Sequence, residues 1–193
     1  MPLVTITSNI AQQLKRHGVF PEVLDEFEQK ALITASYGKD LDITMGNTLK
    51  VKDTQDRPIV QLTFNDAQPD AKYTLVVTDP DAPKRGDPKW SEYAHYIATD
   101  IVPKTAEGES YEIDFTQARE LLPYMGPGPP EKTGKHRYVF VLFKNSGVVS
   151  GLPSEERANW GTGTPGSGVR EWAKQQSLTP VAVNFFFAQN EVQ

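Results

Sequence analysis

Two short blocks of this 193-residue chain hold most of the side chains suited to chemistry: DPDAP at 79–83 and GPGPPEKTGKHRYVF at 126–140. In the first, Pro80 and Pro83 fix φ and remove two backbone donors, so the turn is stiff. Aspartates in such a turn accept hydrogen bonds from nearby backbone N–H groups. That local role suits Asp81, whereas Asp79, at the end of an apolar run, is placed to face a cleft. In the second block, Gly126, Gly128 and Gly134 permit close backbone approach and positive φ, a means of aiming N–H groups at an anion. His136 and Arg137 follow, and strand alternation sends them to opposite faces. His136 is therefore assigned to a pocket and Arg137 to a structural ion pair with Asp81. A second histidine, His95, lies beyond the first block. An imidazole with a pKa of about 6.5 donates to a phosphate oxygen, more strongly when protonated.

The elements that must bring these residues together are mostly strands. Leu32–Tyr37, Ile59–Phe64, Tyr73–Thr78, Tyr93–Ile101, Tyr111–Phe115, Tyr138–Lys144 and Val181–Ala188 are short and rich in β-branched or aromatic residues. TLVVT and YVFVLF are apolar on both faces, which reads as central strands covered on both sides. If these two are antiparallel, the end of one and the start of the other share a sheet edge, and Asp79 meets His136 there. A helix is expected from an N-cap at Ser8 to a stop at Gly18, a second from Pro21 with Val23, Leu24 and Phe27 on one side, and a third over Val169–Gln176. The chain reads as a mainly β sandwich with peripheral helices, a single domain over 1–193.

Composition narrows the function. There is no cysteine, which excludes disulfides, thiolate metal sites and a cysteine nucleophile, and fits a reducing compartment. Net charge is −5, against the clustered Lys and Arg of a nucleic-acid binder. Lys15 and Arg16 read as a solvated helix face. No run approaches the roughly 20 apolar residues of a membrane span, and the amino terminus carries no signal-peptide pattern, so a cytoplasmic protein is expected. Gly161, Gly163 and Gly166 match GxGxxG, but no buried strand precedes them and Pro165 interrupts the loop, so the stretch reads as a connection with Trp160 packed beneath it. No Walker A, HExxH or GxSxG sequence is present. Asp79, His95 and His136 have the composition of a two-His, one-carboxylate metal site, but a metal-free polar pocket without a cofactor is the favoured reading.

The same residues carry a resemblance. DPDAP, GDPKW at 86–90, His95 and GPGPPEKTGKHRYVF match, in order and spacing, the two signature blocks of the phosphatidylethanolamine-binding protein family. MGNTL at 45–49 and NWGTGTPGSGVREWA at 159–173 look closer to its fungal carboxypeptidase Y inhibitor branch than to animal members. The resemblance implies a large antiparallel sheet packed on a smaller one. It implies a pocket for phosphate-like anions or phospholipid head groups formed by Asp79, Pro83, His95, Gly128, Pro129, Pro130, His136 and Tyr138, with Asp81 and Arg137 as scaffold. It implies binding and regulation rather than catalysis; a hydrolase using the His/Asp pocket ranks last. The nearer branch implies inhibition of a vacuolar serine carboxypeptidase, with the segment before Ser8 as a candidate inhibitory element. Relative to animal members the sequence stops soon after VNFFFAQ, without their C-terminal helix, and has Tyr93 where they commonly have tryptophan. A more open pocket with a different wall is expected, and kinase regulation is not carried over.

Overall fold

The computed structural model describes residues 3–66, 68, 70–104 and 109–193, with side chains from residue 8 onward. Helix α1 (Leu3–Arg16) and the single turn α2 (Val19–Glu22) precede eight strands: β1 (Ala31–Ser36), β2 (Ile59–Phe64), β3 (Tyr73–Asp79), β4 (Tyr93–Ile101), β5 (Ser110–Glu112), β6 (Arg119–Leu122), β7 (His136–Asn145) and β8 (Leu178–Ala188). Helix α3 (Val169–Gln175) lies between β7 and β8, and 3₁₀ turns occupy Val51–Asp53 and Asn159–Gly161. No helix among the described residues is long and apolar enough to cross a membrane.

The strands form two antiparallel sheets, a larger one in the order β6-β4-β3-β7-β8 and a smaller one in the order β1-β2-β5. β3 is central and buried throughout, and its partner β7 is buried over its first eight residues. One core fills the space between the sheets, with Ile33, Leu62, Leu75, Tyr96, Phe140 and Phe186 among its members. A second core lies between the large sheet and the helices, where Leu14, Phe20, Val76, Ile97, Trp160 and Trp172 meet. Two cores explain why the TLVVT and YVFVLF runs carry apolar residues on both faces: each strand packs against a layer on both sides.

Three local expectations differ from this structure. α1 begins at Leu3 instead of capping at Ser8, because the β-branched residues of LVTIT have low helix propensity and hide the first turn. No helix runs from Pro21 through Phe27; Pro21 lies inside the one-turn α2, and Val23 and Leu24 form the turn that closes it and pack into the core beneath. Strand β6, with the sequence RELL, is an edge strand whose charges mask it, and only tertiary pairing with β4 defines it.

Candidate anion pocket at one end of the large sheet

The pairing register puts the last residues of β3 beside the first of β7, with Thr78 opposite Val139. Asp79, Tyr138 and His136 therefore come together on the side facing the small sheet. There they line a cavity of about 180 Å³ with Ala82, Pro83, Trp90, Tyr93, His95, Met125, Gly126, Gly128, Pro129 and Pro130. All eight residues that the resemblance nominated for the pocket lie in this wall. Sequence reasoning pointed to Gly126 as one of the glycines allowing close backbone approach, and missed Ala82, Trp90 and Met125 as wall residues. Trp90 and Met125 are about 40% exposed and form an apolar part of the wall open to solvent.

His95 reaches the cavity through an irregularity of the strand. Tyr96 belongs to the core between the sheets and Ile97 to the core under the helices, so strict alternation would send His95 to the helix side. Instead Val77 pairs with Tyr96 while the next residue, Thr78, pairs with Ala94, leaving His95 as the extra residue of a β-bulge. Bulges re-aim side chains in this way. The unpaired backbone is satisfied: the His95 carbonyl accepts from Met125 N–H at 2.9 Å and from the Arg157 guanidinium at 3.1 Å. Met125 then accepts from the His95 ring, its carbonyl lying 2.7 Å from Nδ1. A carbonyl only accepts, so Nδ1 carries the proton, and Nε2 has no hydrogen-bond partner among the described residues. Burial lowers the pKa of His95 below its ordinary value; the charges of Arg157 and His136 add to this, while Asp79 and the Met125 bond oppose it.

The polar groups beside it are engaged with one another. Asp79 Oδ1 accepts from Asp81 N–H at 2.7 Å, and Oδ2 lies 2.8 Å from His136 Nδ1. Nε2 of His136 lies 2.9 Å from the Thr133 hydroxyl, which also donates to the Pro130 carbonyl at 2.8 Å. Both ring nitrogens of this fully buried histidine are thus occupied by the protein. Thr133, His136 and Asp79 have the contacts of a hydroxyl–imidazole–carboxylate triad, but the Thr133 proton is directed to Pro130, which makes the threonine a clamp on the ring. The Tyr138 hydroxyl is buried and finds no partner at hydrogen-bonding geometry, although Asp79 and the Gly128 backbone lie close. Burial and the Asp79 charge push its pKa up. An unpartnered buried hydroxyl at a cavity wall points to an occupant.

The loop carrying this wall is held from several directions. A Cβ on Gly126 would sit 2.7 Å from Gln55 Cα, so only glycine permits that approach. Gly134 adopts φ of 75°, whereas Gly128 has neither a positive φ nor a close neighbour and simply leaves space. Asn190 Nδ2 donates to the Pro129 carbonyl at 3.1 Å and Lys132 N–H to the Val192 carbonyl at 3.0 Å, tying the loop to the residues after β8. Among the described residues no cluster of His, Asp or Glu is arranged to hold a metal ion.

On the helix side of the same edge, Arg137 forms a two-point bond to Asp81, with Nε 2.8 Å from Oδ2 and Nη2 2.7 Å from Oδ1. Asp81 also accepts from Arg137 N–H at 2.8 Å, and Arg137 Nη1 reaches Glu22 of α2 at 2.7 Å. Asp81 does not cap its own turn. Asp79 does so, and Asp81 instead fixes the start of β7. Nearby, buried Glu92 accepts from the Thr78 hydroxyl at 2.8 Å and from Val169 N–H at 3.1 Å, and Trp160 Nε1 donates to Thr78 at 2.9 Å. The glycine-rich 161–168 stretch is thus a connection seated on Trp160. A Cβ on Gly168 would strike the Glu92 carboxylate.

Comparison with known proteins agrees with the geometry. The family model described as Phosphatidylethanolamine-binding protein matches residues 25–186. The Saccharomyces cerevisiae carboxypeptidase Y inhibitor is 36% identical over an alignment of 204 residues, covering 92% of this chain and 93% of that protein. The FLOWERING LOCUS T protein of Arabidopsis thaliana is 32% identical over 184 residues, covering 95% and 94%. Among solved structures, carboxypeptidase Y inhibitor complexed with its cognate proteinase superposes with a TM-score of 0.89 at 36% identity, covering 96% of this chain and 97% of the other. A Plasmodium vivax phosphatidylethanolamine-binding protein superposes with a TM-score of 0.77 at 24% identity, covering 94% and 97%, a likeness of fold. With two antiparallel sheets, the signature turns at one edge and these matches over nearly its whole length, the chain belongs to the phosphatidylethanolamine-binding protein family, beside its carboxypeptidase Y inhibitor members.

Proposed function

We propose that this chain inhibits a serine carboxypeptidase of the carboxypeptidase Y type, acting by binding and not by turnover. The supporting observation is its likeness to carboxypeptidase Y inhibitor, at 36% identity and a TM-score of 0.89 over nearly the whole of both chains. The reading is tested by titrating the protein against S. cerevisiae carboxypeptidase Y with a chromogenic peptide substrate. Stoichiometric loss of peptidase activity is expected; full activity at micromolar protein overturns it. The segment before Ser8 is the candidate inhibitory element. It extends the first turns of α1 beyond Ile10 and Leu14, which anchor that helix in the core, and its own side chains lie outside the described residues. Deleting residues 1–7 is expected to abolish inhibition while leaving the thermal midpoint unchanged.

A second reading concerns the cavity, which binds a phosphate-like anion or a phospholipid head group through Asp79, Pro83, His95, Gly128, Pro129, Pro130, His136 and Tyr138, supported by Asp81 and Arg137. The observation favouring it is the buried Tyr138 hydroxyl left without a partner. Calorimetric titration with inorganic phosphate tests it: micromolar to millimolar binding lost in His95→Ala is expected, and equal negligible binding by both proteins overturns it.

A further inference from the structure

Tyr73 and Asp79 begin and end β3, so the two ends of this strand lie about 20 Å apart. The Asp79 end opens on the pocket described above. The Tyr73 end opens on a second cavity, of about 520 Å³, between the end of β7, the start of β8 and the chain just before β1 and just after β2. Its apolar floor is Phe64 and Tyr73, whose rings meet at 4.8 Å and close the core between the sheets at this end. Its wall holds two amide side chains that are only half engaged. Gln29, 4% exposed, accepts from Val183 N–H through Oε1 at 3.0 Å. A backbone N–H only donates, so the amide is fixed in orientation and its buried Nε2 is the group left without a partner. Asn65, whose N–H donates to the Lys30 carbonyl at 3.1 Å, has a buried Oδ1 that is also without a partner. Buried polar atoms left this way are rare in folded proteins and call for an occupant. One unpaired donor and one unpaired acceptor are the complement of an amide, which accepts through its carbonyl and donates through its N–H.

Charges of both signs surround this pair. Lys30 and Lys144 are the cations of the wall, Glu28 and Asp66 its anions. Among the described residues none of the four is in a salt bridge, and Lys144 Nζ donates only to the Gln68 amide oxygen, a neutral group. A simple anion would meet the lysines but leave Asn65 Oδ1 unpaired and stand against Glu28 and Asp66. A simple amine would pair with the acids and leave Gln29 Nε2 unpaired. A free amino acid carries both charges but has no amide between them. We propose that this cavity binds a short zwitterionic peptide of two or three residues. Its internal amide bonds Gln29 Nε2 and Asn65 Oδ1, its carboxylate faces Lys30 and Lys144, and its ammonium group faces Glu28 and Asp66. The volume falls within the roughly 300–1,000 Å³ of small-molecule sites. The site shares no residue with the anion pocket and depends neither on that reading nor on carboxypeptidase inhibition.

The test is NMR titration of the nitrogen-15-labelled full chain with alanyl-alanine, with alanine, and with the depsipeptide alanyl-lactate, in which an ester oxygen replaces the amide N–H. Alanyl-alanine is expected to bind with a Kd of about a millimolar or tighter, shifting the backbone amides of Lys30, Asn65, Tyr73 and Lys144 and leaving those of Gly128 and His136 in place. Alanine and the depsipeptide are expected to bind about tenfold more weakly, since each leaves a buried group unpaired. Gln29→Glu keeps an oxygen for Val183 N–H and replaces the free N–H by a second oxygen, and is expected to weaken alanyl-alanine about tenfold. Lys144→Gln removes a cation that bonds only the Gln68 side chain, and decides the matter if Gln29→Glu does not fold. It is expected to weaken alanyl-alanine about fivefold and to leave binding of alanyl-alanine amide, which has no carboxylate, unchanged. Absence of shifts at about 20 mM alanyl-alanine, or shifts confined to the Gly128 and His136 end, overturns the inference. So does equal binding of the dipeptide, the depsipeptide and alanine, or a Lys144→Gln variant that weakens the peptide and its amide alike.

Discussion

Asp79 and Asp81 are two residues apart and His136 and Arg137 are adjacent, yet the Asp79–His136 pair and the Asp81–Arg137 pair lie on opposite sides of the large sheet. On the helix side the buried charges are paired: Arg137 meets Asp81 at two points and Glu22 at a third, while Glu92 is held by Thr78 and Val169. On the side facing the small sheet the same backbone edge leaves a cavity with a hydroxyl and an imidazole nitrogen unpaired. The difference separates scaffold from site. Polar side chains that satisfy one another stabilise the edge, and those left unsatisfied cost stability that only an occupant returns.

The comparison breaks most directly at Arg137. Arg137→Ala leaves the Asp81 carboxylate, 1% exposed, without its two-point partner and with only the half-exposed Arg85 at 3.8 Å, and a loss of roughly 3 kcal/mol is expected in urea denaturation. A loss below about 1 kcal/mol would remove the distinction between the two sides. Glu92 comes next. Burial raises its pKa from 4.5 to about 7, its bonds to Val169 and Thr78 lowering it only in part. A carboxyl raised on folding is harder to ionise in the native state. Stability is therefore full below pH 4.5, falls as pH rises towards 7, and is level above. The fall amounts to about 3 kcal/mol over that window, and Glu92→Gln is expected to abolish it in denaturation measured at pH 4.5, 6 and 7.5.

Tyr138→Phe sharpens the contrast from the pocket side. Removing a buried hydroxyl that has no partner is expected to leave stability unchanged or raise it by up to about 1 kcal/mol, while inorganic phosphate binding weakens about tenfold. Loss of stability in this variant would show the hydroxyl to be bonded in the free protein. The smallest effect is expected at Glu22. Its carboxylate is half exposed, so Glu22→Ala should cost under about 1 kcal/mol by denaturation although it touches the same Arg137.

Much of this division was legible before any coordinates. Strict alternation at the start of β7 separates His136 from Arg137, and the all-apolar TLVVT and YVFVLF runs identify the two central strands whose pairing joins Asp79 to His136. The amino-terminal boundary and β6 were not legible, since LVTIT and RELL have propensities that oppose the structure they adopt. The role of His95 was available only through family resemblance. Counting residues in a strand points it the wrong way, because a bulge depends on how two strands pair and not on either one alone. Trp90 and Met125 escaped for a related reason: they sit in irregular loops whose path is set by backbone contacts to distant segments, the Trp90 carbonyl accepting from Asn159 N–H and Met125 N–H donating to the His95 carbonyl.

The extra residue at His95 also turns the pocket into a matter of strand arithmetic. Deleting one position there, for example Ala94, would remove the irregularity between Val77 and Thr78 and rotate the imidazole towards Trp160 and the helices. The variant would keep all three histidines, both aspartates and the net charge of the chain, and lose the cavity's acceptor. Length variation at this one point is thus a route by which a relative could retain every signature residue and yet have no functioning site, a difference that no inventory of conserved side chains would detect.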